Sequence, residues 1–324
     1  MTAPTVIEER PLGRSQVTVP RIALGCGNFG GIGSAPQFFG GGLDEQQAFA
    51  VMDAAWHFGI RHFDTADAYG GGRSETAIGR WMRSRGERPL LTTKTYNPMQ
   101  VGADHGLARE RVERQLHSSL DRLGVDHVDI YLTHEFDPDV AGEDVVATLE
   151  RLRDAGVIRA IGVSNYDAAQ LEATLAGGHV DAVQNAYSLL VRGDEERLIP
   201  LCAREQVSYT AYSPLAGGWL TGKYRRGEPY PDGSRMTQRP EGYMGFLDDA
   251  VFDALDALEA RAAERGISMA GLALGWLLAQ PDLCAVVVGP MRPEHLEPVR
   301  EALAHPLDGA SRDEIGGLLG RWPR

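Results

Sequence analysis

The chain has 324 residues, 43% of them apolar and 24% charged, an ordinary globular composition long enough for one large domain or two small ones. Its net charge of −13 excludes nucleic acid as the partner, because phosphate binding needs a basic face, and mostly serves solubility. The opening residues MTAPTVIEERPLGR carry no apolar core and no small-residue cleavage site, so no secretory leader is expected. The most apolar stretch, 272–279, is far too short to cross a bilayer, so no membrane partner is expected. Cys26, Cys202 and Cys284 are odd in number, widely spaced and without a second Cys or a His at ligand spacing. They read as buried free thiols of a cytoplasmic protein, with no zinc site.

In chain order, short β-branched runs at 22–25, 61–65, 90–95, 128–133, 158–163, 182–185, 208–212 and 285–288 predict eight strands. Between them lie stretches with apolar residues at three-to-four spacing. In 107–123, Val112, Leu116, Leu120 and Leu123 share one stripe, with Arg and Glu opposite. Such alternation implies parallel strands joined by helical crossovers. Eight units in 324 residues suit a (β/α)8 TIM barrel, whose usual size is roughly 250 residues, although periodicity alone fits a doubly wound sheet equally. No linker or low-complexity tail is visible, so one domain over 1–324 is expected, with its core at about 18–305. The one large interruption, 217–247, is rich in Gly, Pro and Arg; in a barrel it forms a lid-like loop over the active mouth.

Two glycine patterns invite a different conclusion. Gly25-Cys26-Gly27-Asn28-Phe29-Gly30 matches the dinucleotide fingerprint, follows a predicted strand and has Asp44 at a plausible distance. That fingerprint needs its third glycine to open a helix, and the glycine-rich continuation through Gly42 cannot be helical. The run from Gly217 to Lys223 matches a phosphate loop, but Tyr224 stands where the magnesium-binding hydroxyl belongs. A phosphate-cradling loop is still plausible; an ATPase is not.

More informative are the strand ends. Asp64 and Tyr69 follow the second strand, Lys94 ends the third and His134 follows the fourth. In a parallel barrel these positions converge on one mouth, where the chemistry occurs. Together the four residues form a coherent proton-transfer set. Asp67, Glu75 and Glu135 are left outside it, Glu75 as a cap or ion-pair partner at the start of the next helix.

The segments FDTADAYGGGRSE, TTKTY, LTHEFD, IGVSNY, VQNAYS and AYSPLAGGWLTGKY, in that order and spanning about 21–303, resemble the aldo-keto reductase superfamily. The resemblance is to its bacterial oxidoreductase branch, related to sugar-modifying reductases and potassium-channel β subunits. It implies an NAD(P)H-dependent oxidoreductase that moves a hydride reversibly between nicotinamide C4 and an aldehyde, ketone, sugar carbonyl or secondary alcohol. Tyr69 would be the general acid, Lys94 would lower its pKa, Asp64 would hold Lys94 charged, and His134 would donate to the carbonyl oxygen. Ser164, Asn165 and Gln184 would hold the nicotinamide carboxamide and Tyr212 would stack on its ring. Ser213, Pro214, Leu215, Gly217, Leu220, Gly222 and Lys223 would wrap the pyrophosphate, with Asn28, Phe29 and Asp64 also on the cofactor. Phe29, Tyr69, Tyr96, His134 and Trp219 would face the substrate, and Phe38, Phe39 and Phe136 complete an aromatic mouth.

After the last strand the chain departs from the family pattern. Pro298 and Val299 stand where a Glu-Asn pair would grip adenine, and Gly289, Met291, Arg292 and His295 are the residues left for the cofactor. Arg292 and His295 alone could meet a 2′-phosphate, so NADPH is expected, with NADH open as the alternative. Two other classes compete. A nucleotide-binding regulatory subunit of the same fold with little turnover is disfavoured by the complete tetrad and the lack of a docking tail. A metal-dependent barrel isomerase or hydrolase lacks paired His ligands at strand ends. The partner expected is a small-molecule carbonyl or alcohol.

Overall fold

A computed structural model describes residues 6–320 of the chain. The first residues read for a leader therefore lie partly outside the described residues. The sequence predicts no strand before position 22, yet the chain opens with an antiparallel hairpin of β1 (Glu9–Pro11) and β2 (Thr18–Pro20). Each strand has only three residues, too few for alternation to show. The hairpin places Leu12, Val17 and Val19 against Ile130, Leu132, Ala160, Ala182, Cys284 and Ala285, so it packs against apolar residues of four barrel strands.

The eight predicted strands follow: β3 (Ile22–Gly25), β4 (His62–Asp64), β5 (Leu90–Thr95), β6 (Val128–Thr133), β7 (Ile158–Ser164), β8 (Ala182–Ala186), β9 (Ser208–Tyr212) and β10 (Leu283–Val288). They run parallel and close in the order β10-β3-β4-β5-β6-β7-β8-β9, a (β/α)8 TIM barrel. β6 and β10 are buried at every position because helices cover the outer face and side chains fill the inner one. The crossovers include α1 (Glu45–Phe58), α2 (Arg73–Arg85), α3 (Arg109–Leu123), α4 (Gly142–Asp154), α5 (Ala168–Leu175) and α6 (Leu198–Glu205). Asp44 and Gln47 form a reciprocal capping box at the start of α1, and Asp167 and Gln170 repeat it at α5. The stripe Val112, Leu116, Leu120 and Leu123 is the buried face of α3 as predicted.

Register then sets the mouth. Gly25 pairs with Asp64 across β3 and β4, while Lys94 and Thr95 pair with Leu132 and Thr133 across β5 and β6. The C-terminal ends of neighbouring strands are thus level, and the side chains just past them share one rim. After β9 the chain runs through a 3-10 turn (Ala216–Thr221), the short α7 (Arg235–Gln238) and a second 3-10 turn (Glu241–Phe246) before α8 (Asp249–Glu264), α9 (Met269–Leu278), β10, α10 (Glu297–Ala304) and α11 (Gly309–Leu318). Helix α9 is apolar on all sides and nearly all buried, but no helix among the described residues is long and apolar enough to cross a membrane. All three cysteines are free and buried, as expected.

Candidate active site

Asp64 closes β4 and Lys94 sits one residue from the end of β5, so parallel pairing brings the two together. Lys94 Nζ donates to Asp64 Oδ1 at 2.5 Å and to the Thr65 carbonyl at 2.9 Å, with both charged side chains almost wholly buried. Gln184 Nε2 reaches across from β8 to the second carboxylate oxygen at 2.8 Å. A buried ion pair persists only when further hydrogen bonds meet its remaining groups, and here they do.

Above this pair, a 3-10 turn at Tyr69–Gly71 carries the phenol. Gly70 has φ of 60°, and a Cβ there would lie 2.7 Å from the Gly30 carbonyl oxygen. Gly30 itself has φ of 69° and would place a Cβ 2.5 Å from Arg73 Cβ. The glycines of the fingerprint-like segment therefore let two loops touch, and the chain beyond Gly30 makes only a 3-10 turn at Pro36–Phe38 before α1, with no helix for a dinucleotide. Tyr69 Oη stands 3.5 Å from His134 Nε2, their rings edge-to-face at 5.4 Å, and Lys94 Nζ lies 5.3 Å from the Tyr69 ring centroid.

Electrostatics departs from expectation at one point. The sequence predicts that Lys94 lowers the Tyr69 pKa; instead burial, followed by the charge of Asp64, pushes the phenol well above its usual value. Burial is the larger cause, and the Asp64 carboxylate, in tight contact with Lys94, adds to it by opposing the negative charge of a phenolate. Tyr69 keeps its proton in this state. His134 is held well below its ordinary value by burial and by Lys94, so its ring is neutral at physiological pH, and its Nδ1 has no partner among the described residues.

The residues expected around the nicotinamide gather on the opposite rim. Ser164 Oγ donates to the Gln184 carbonyl at 2.7 Å. Asn165, held at φ of 60°, donates from Nδ2 to the His134 carbonyl at 2.8 Å and to Glu135 Oε1 at 3.2 Å, while its Oδ1 accepts from the Tyr212 hydroxyl at 2.6 Å. After β9, left-handed backbone recurs at Ser213, Ala216, Gly217, Gly218 and Gly222, and the Ala216, Gly218 and Leu220 N–H groups close turns within this loop. Lys223 folds back over Gly218, whose Cβ would meet it.

Sequence reasoning overlooks Arg235, which enters from the segment over the mouth and donates to Asn28 Oδ1 at 2.7 Å. Burial, with the nearby Arg239 charge, lowers its pKa, and its charge lowers that of Lys223 after burial. Among the described residues no carboxylate lies within ion-pair distance of Lys223 or Arg235, whereas Arg225 and Arg226 of the same segment pair with Glu259 and Asp253. Two cations without a carboxylate partner among the described residues thus stand beside the loop that follows β9. No signal in the sequence singles it out, since Arg225, Arg226, Arg235 and Arg239 each have an acidic residue within three positions.

Two expected substrate residues are misplaced. Phe29 is 1% exposed and Trp219 0% exposed, so neither lines the mouth. Trp219 packs against Tyr224, Phe246 and Phe252, because a large aromatic ring in a long segment serves first as its anchor. The Phe29 and Leu220 side chains are buried in the core, which leaves only their backbones for a cofactor. Tyr96, Phe38, Phe39 and Phe136 are partly exposed, in keeping with a rim. Pro214 is buried and Leu215 half-buried in the β9 loop. At the end of β10, a Cβ on Gly289 would lie 3.9 Å from Asn28 Nδ2, and the Met291 N–H donates to His295 Nδ1 at 3.2 Å. Arg292 is exposed, with only Glu294 at 3.9 Å. Glu75, fully buried, pairs with Arg122 of α3.

The Aldo/keto reductase family profile matches residues 21–319. The NADH-specific methylglyoxal reductase of Escherichia coli K12 is 34% identical over 313 residues, covering 91% of this chain and 92% of that protein. Aldo-keto reductase yakc [NADP(+)] of Schizosaccharomyces pombe is 31% identical, covering 92% and 88%. The solved glycerol dehydrogenase of Gluconobacter oxydans superposes with a TM-score of 0.81 over 96% of this chain and 94% of its own, at 23% identity, a likeness of fold.

Proposed function

The chain belongs to the aldo/keto reductase family, and on that premise we propose that it reduces small carbonyl compounds with a nicotinamide cofactor, Tyr69 acting as general acid. The observation that carries this reading is the 3.5 Å approach of Tyr69 Oη to His134 Nε2 above the buried Lys94–Asp64 pair. A carbonyl oxygen lodged between the phenol and the imidazole meets two donors where its negative charge grows. The cofactor supplies the hydride to the carbonyl carbon. Tyr69 gives its proton to the oxygen, and Lys94 then faces a phenolate it can stabilise. Asp64, fixed by Gln184, keeps the ammonium charged and in place.

The cofactor fits the residues present, because Lys223 and Arg235 are uncompensated cations beside successive left-handed peptides. Those two would hold the pyrophosphate, with the backbone of Ser213 to Gly222. Ser164, Asn165 and Gln184 would hold the carboxamide, and Tyr212, pinned by Asn165, would support the ring. NADPH is the cofactor proposed first, on Arg292 and His295; the relatives' names carry both NADH and NADP(+). We take the barrel as one domain with 217–247 as its lid, in the cytoplasm, where three free thiols stay reduced. The test is Tyr69→Phe, expected to keep cofactor affinity by fluorescence titration and to lose roughly 10²–10⁴-fold in turnover. A variant within tenfold of the parent removes Tyr69 from the role.

A further inference from the structure

Glu135 follows His134 directly at the end of β6 and is half-buried. Its Oε1 accepts from Asn165 Nδ2 at 3.2 Å, the nitrogen that also donates to the His134 carbonyl. Because Asn165 Oδ1 is occupied by Tyr212, the amide is locked, and the carboxylate is fixed to the same bracket as the imidazole. Its charge is also felt by three phenols that follow three strands. Tyr69 after β4, Tyr96 after β5 and Tyr166 after β7 are each raised mainly by burial and in part by its charge. Burial alone pushes the Glu135 carboxyl up to about 7, since no cation offsets it.

A carboxylate offers about four acceptor sites, and only one here is filled by a described partner. Left half-buried at the reacting centre, the others favour a ligand that brings its own hydrogen-bond donor. His134 and Glu135 are consecutive and share the Asn165 Nδ2 donor, so a substrate held at the imidazole lies on the same side of the mouth as this carboxylate.

We propose that Glu135 determines specificity by accepting a hydrogen bond from a hydroxyl on the carbon next to the reacting carbonyl, so that the site takes α-hydroxy carbonyl compounds in preference to alkyl analogues and 2-oxo acids. This rests on the carbonyl-reductase reading of the same site. A 2-oxo acid would set its carboxylate against that of Glu135 and lose by repulsion.

The experiment compares three probes of matched size, hydroxyacetone, butanone and pyruvate, at pH 8 with NADPH and with NADH. The parent protein should show a kcat/KM for hydroxyacetone at least tenfold above that for butanone, with pyruvate lowest. In Glu135→Leu that ratio should fall toward one and pyruvate should gain. Glu135→Gln, which keeps an acceptor oxygen without the charge, should retain an intermediate ratio and guards against misfolding. Calorimetric titration of propane-1,2-diol and butan-2-ol into the protein with oxidised cofactor should show the same order in binding. A hydroxyacetone-to-butanone ratio near one in the parent, or unchanged in Glu135→Leu, overturns the role of Glu135 and leaves the reductase reading intact. Reduction of none of the three probes overturns both.

Discussion

At the ends of β4, β5 and β8 the polar side chains hold one another, whereas at the ends of β9 and β10 they rest on backbone turns and solvent. Asp64, Lys94, Gln184 and the Thr65 carbonyl form a closed, dry set with every contact between 2.5 and 2.9 Å. Lys223, Arg235, Arg292 and His295 form an open one, spread over the segment after β9 and the turn after β10, with cations that among the described residues face no carboxylate closer than the 3.9 Å contact of Arg292 with Glu294. The closed set is held by its own hydrogen bonds, whereas the open set has cations left over, which on the proposed reading meet the cofactor's phosphates. Substitutions in the first region should therefore cost stability and turnover together, and substitutions in the second should cost binding alone.

Lys94→Met tests the first half of that contrast and should have the largest effect. It leaves Asp64 buried without its cation, at about 3–5 kcal/mol of stability, read as a lowered denaturant midpoint. Turnover should fall roughly 10²–10⁴-fold as Tyr69 loses its charge partner. Adding Asp64→Asn should restore much of the stability and none of the turnover. A double variant no more stable than Lys94→Met would mean that the pair is not coupled.

Arg235→Ala addresses the open set. Since a pyrophosphate is common to both cofactors, NADPH and NADH should weaken alike, by roughly ten- to a hundredfold, the value of one charge-assisted contact of about 1.5–3 kcal/mol. The thermal midpoint should move by little, because Arg235 has only the Asn28 bond to lose. A loss confined to NADPH would instead put Arg235 on the 2′-phosphate.

The same contrast explains what the sequence could show. Strands β3 to β10 were legible because a buried parallel barrel demands continuous apolar runs, and the placing of Asp64, Lys94 and His134 at strand ends followed from those strands. Tyr69 needed its glycine-rich turn. The hairpin of β1 and β2 was too short to register, and Phe29 and Trp219 were misassigned since an aromatic side chain carries the same letter in a core as on a rim. Arg235 and Glu135 depend on which charges stay unpaired after folding. Arg225 and Arg235 look alike in sequence and differ only because Glu259 on α8 takes the first. Gly30 shows the converse: its motif reads as phosphate binding, but its space is taken by Arg73 and the Tyr69 turn. Gly30→Ala should lower turnover through that turn by an amount well short of the Lys94 effect, with cofactor affinity little changed.

Smallest of all should be the effect at Arg292, to which the proposed preference for NADPH is assigned. Arg292 is exposed, so a contact from it to a 2′-phosphate is screened by water and salt and sits at the low end for a charged hydrogen bond, about 1 kcal/mol or a fewfold in affinity. Arg292→Ala should weaken NADPH by that amount and leave NADH unchanged, and raising the salt should erode the difference in the parent. A histidine with an ordinary pKa at position 295 would strengthen the preference as pH falls toward 6. In the structure burial, then the charges of Arg292 and Lys223, holds His295 below its ordinary value, so its ring gains a proton only at lower pH than a free histidine. The sign is unchanged but the window moves down: between pH 7 and 6 the ratio of NADPH to NADH affinity should stay nearly flat, and any rise should come below that. Replacing His295 by Gln should abolish the low-pH rise while sparing the Arg292 contribution. A preference that climbs steeply from pH 7 to 6, and does so only while His295 is present, would mean that the bound phosphate raises the His295 pKa by more than burial lowers it.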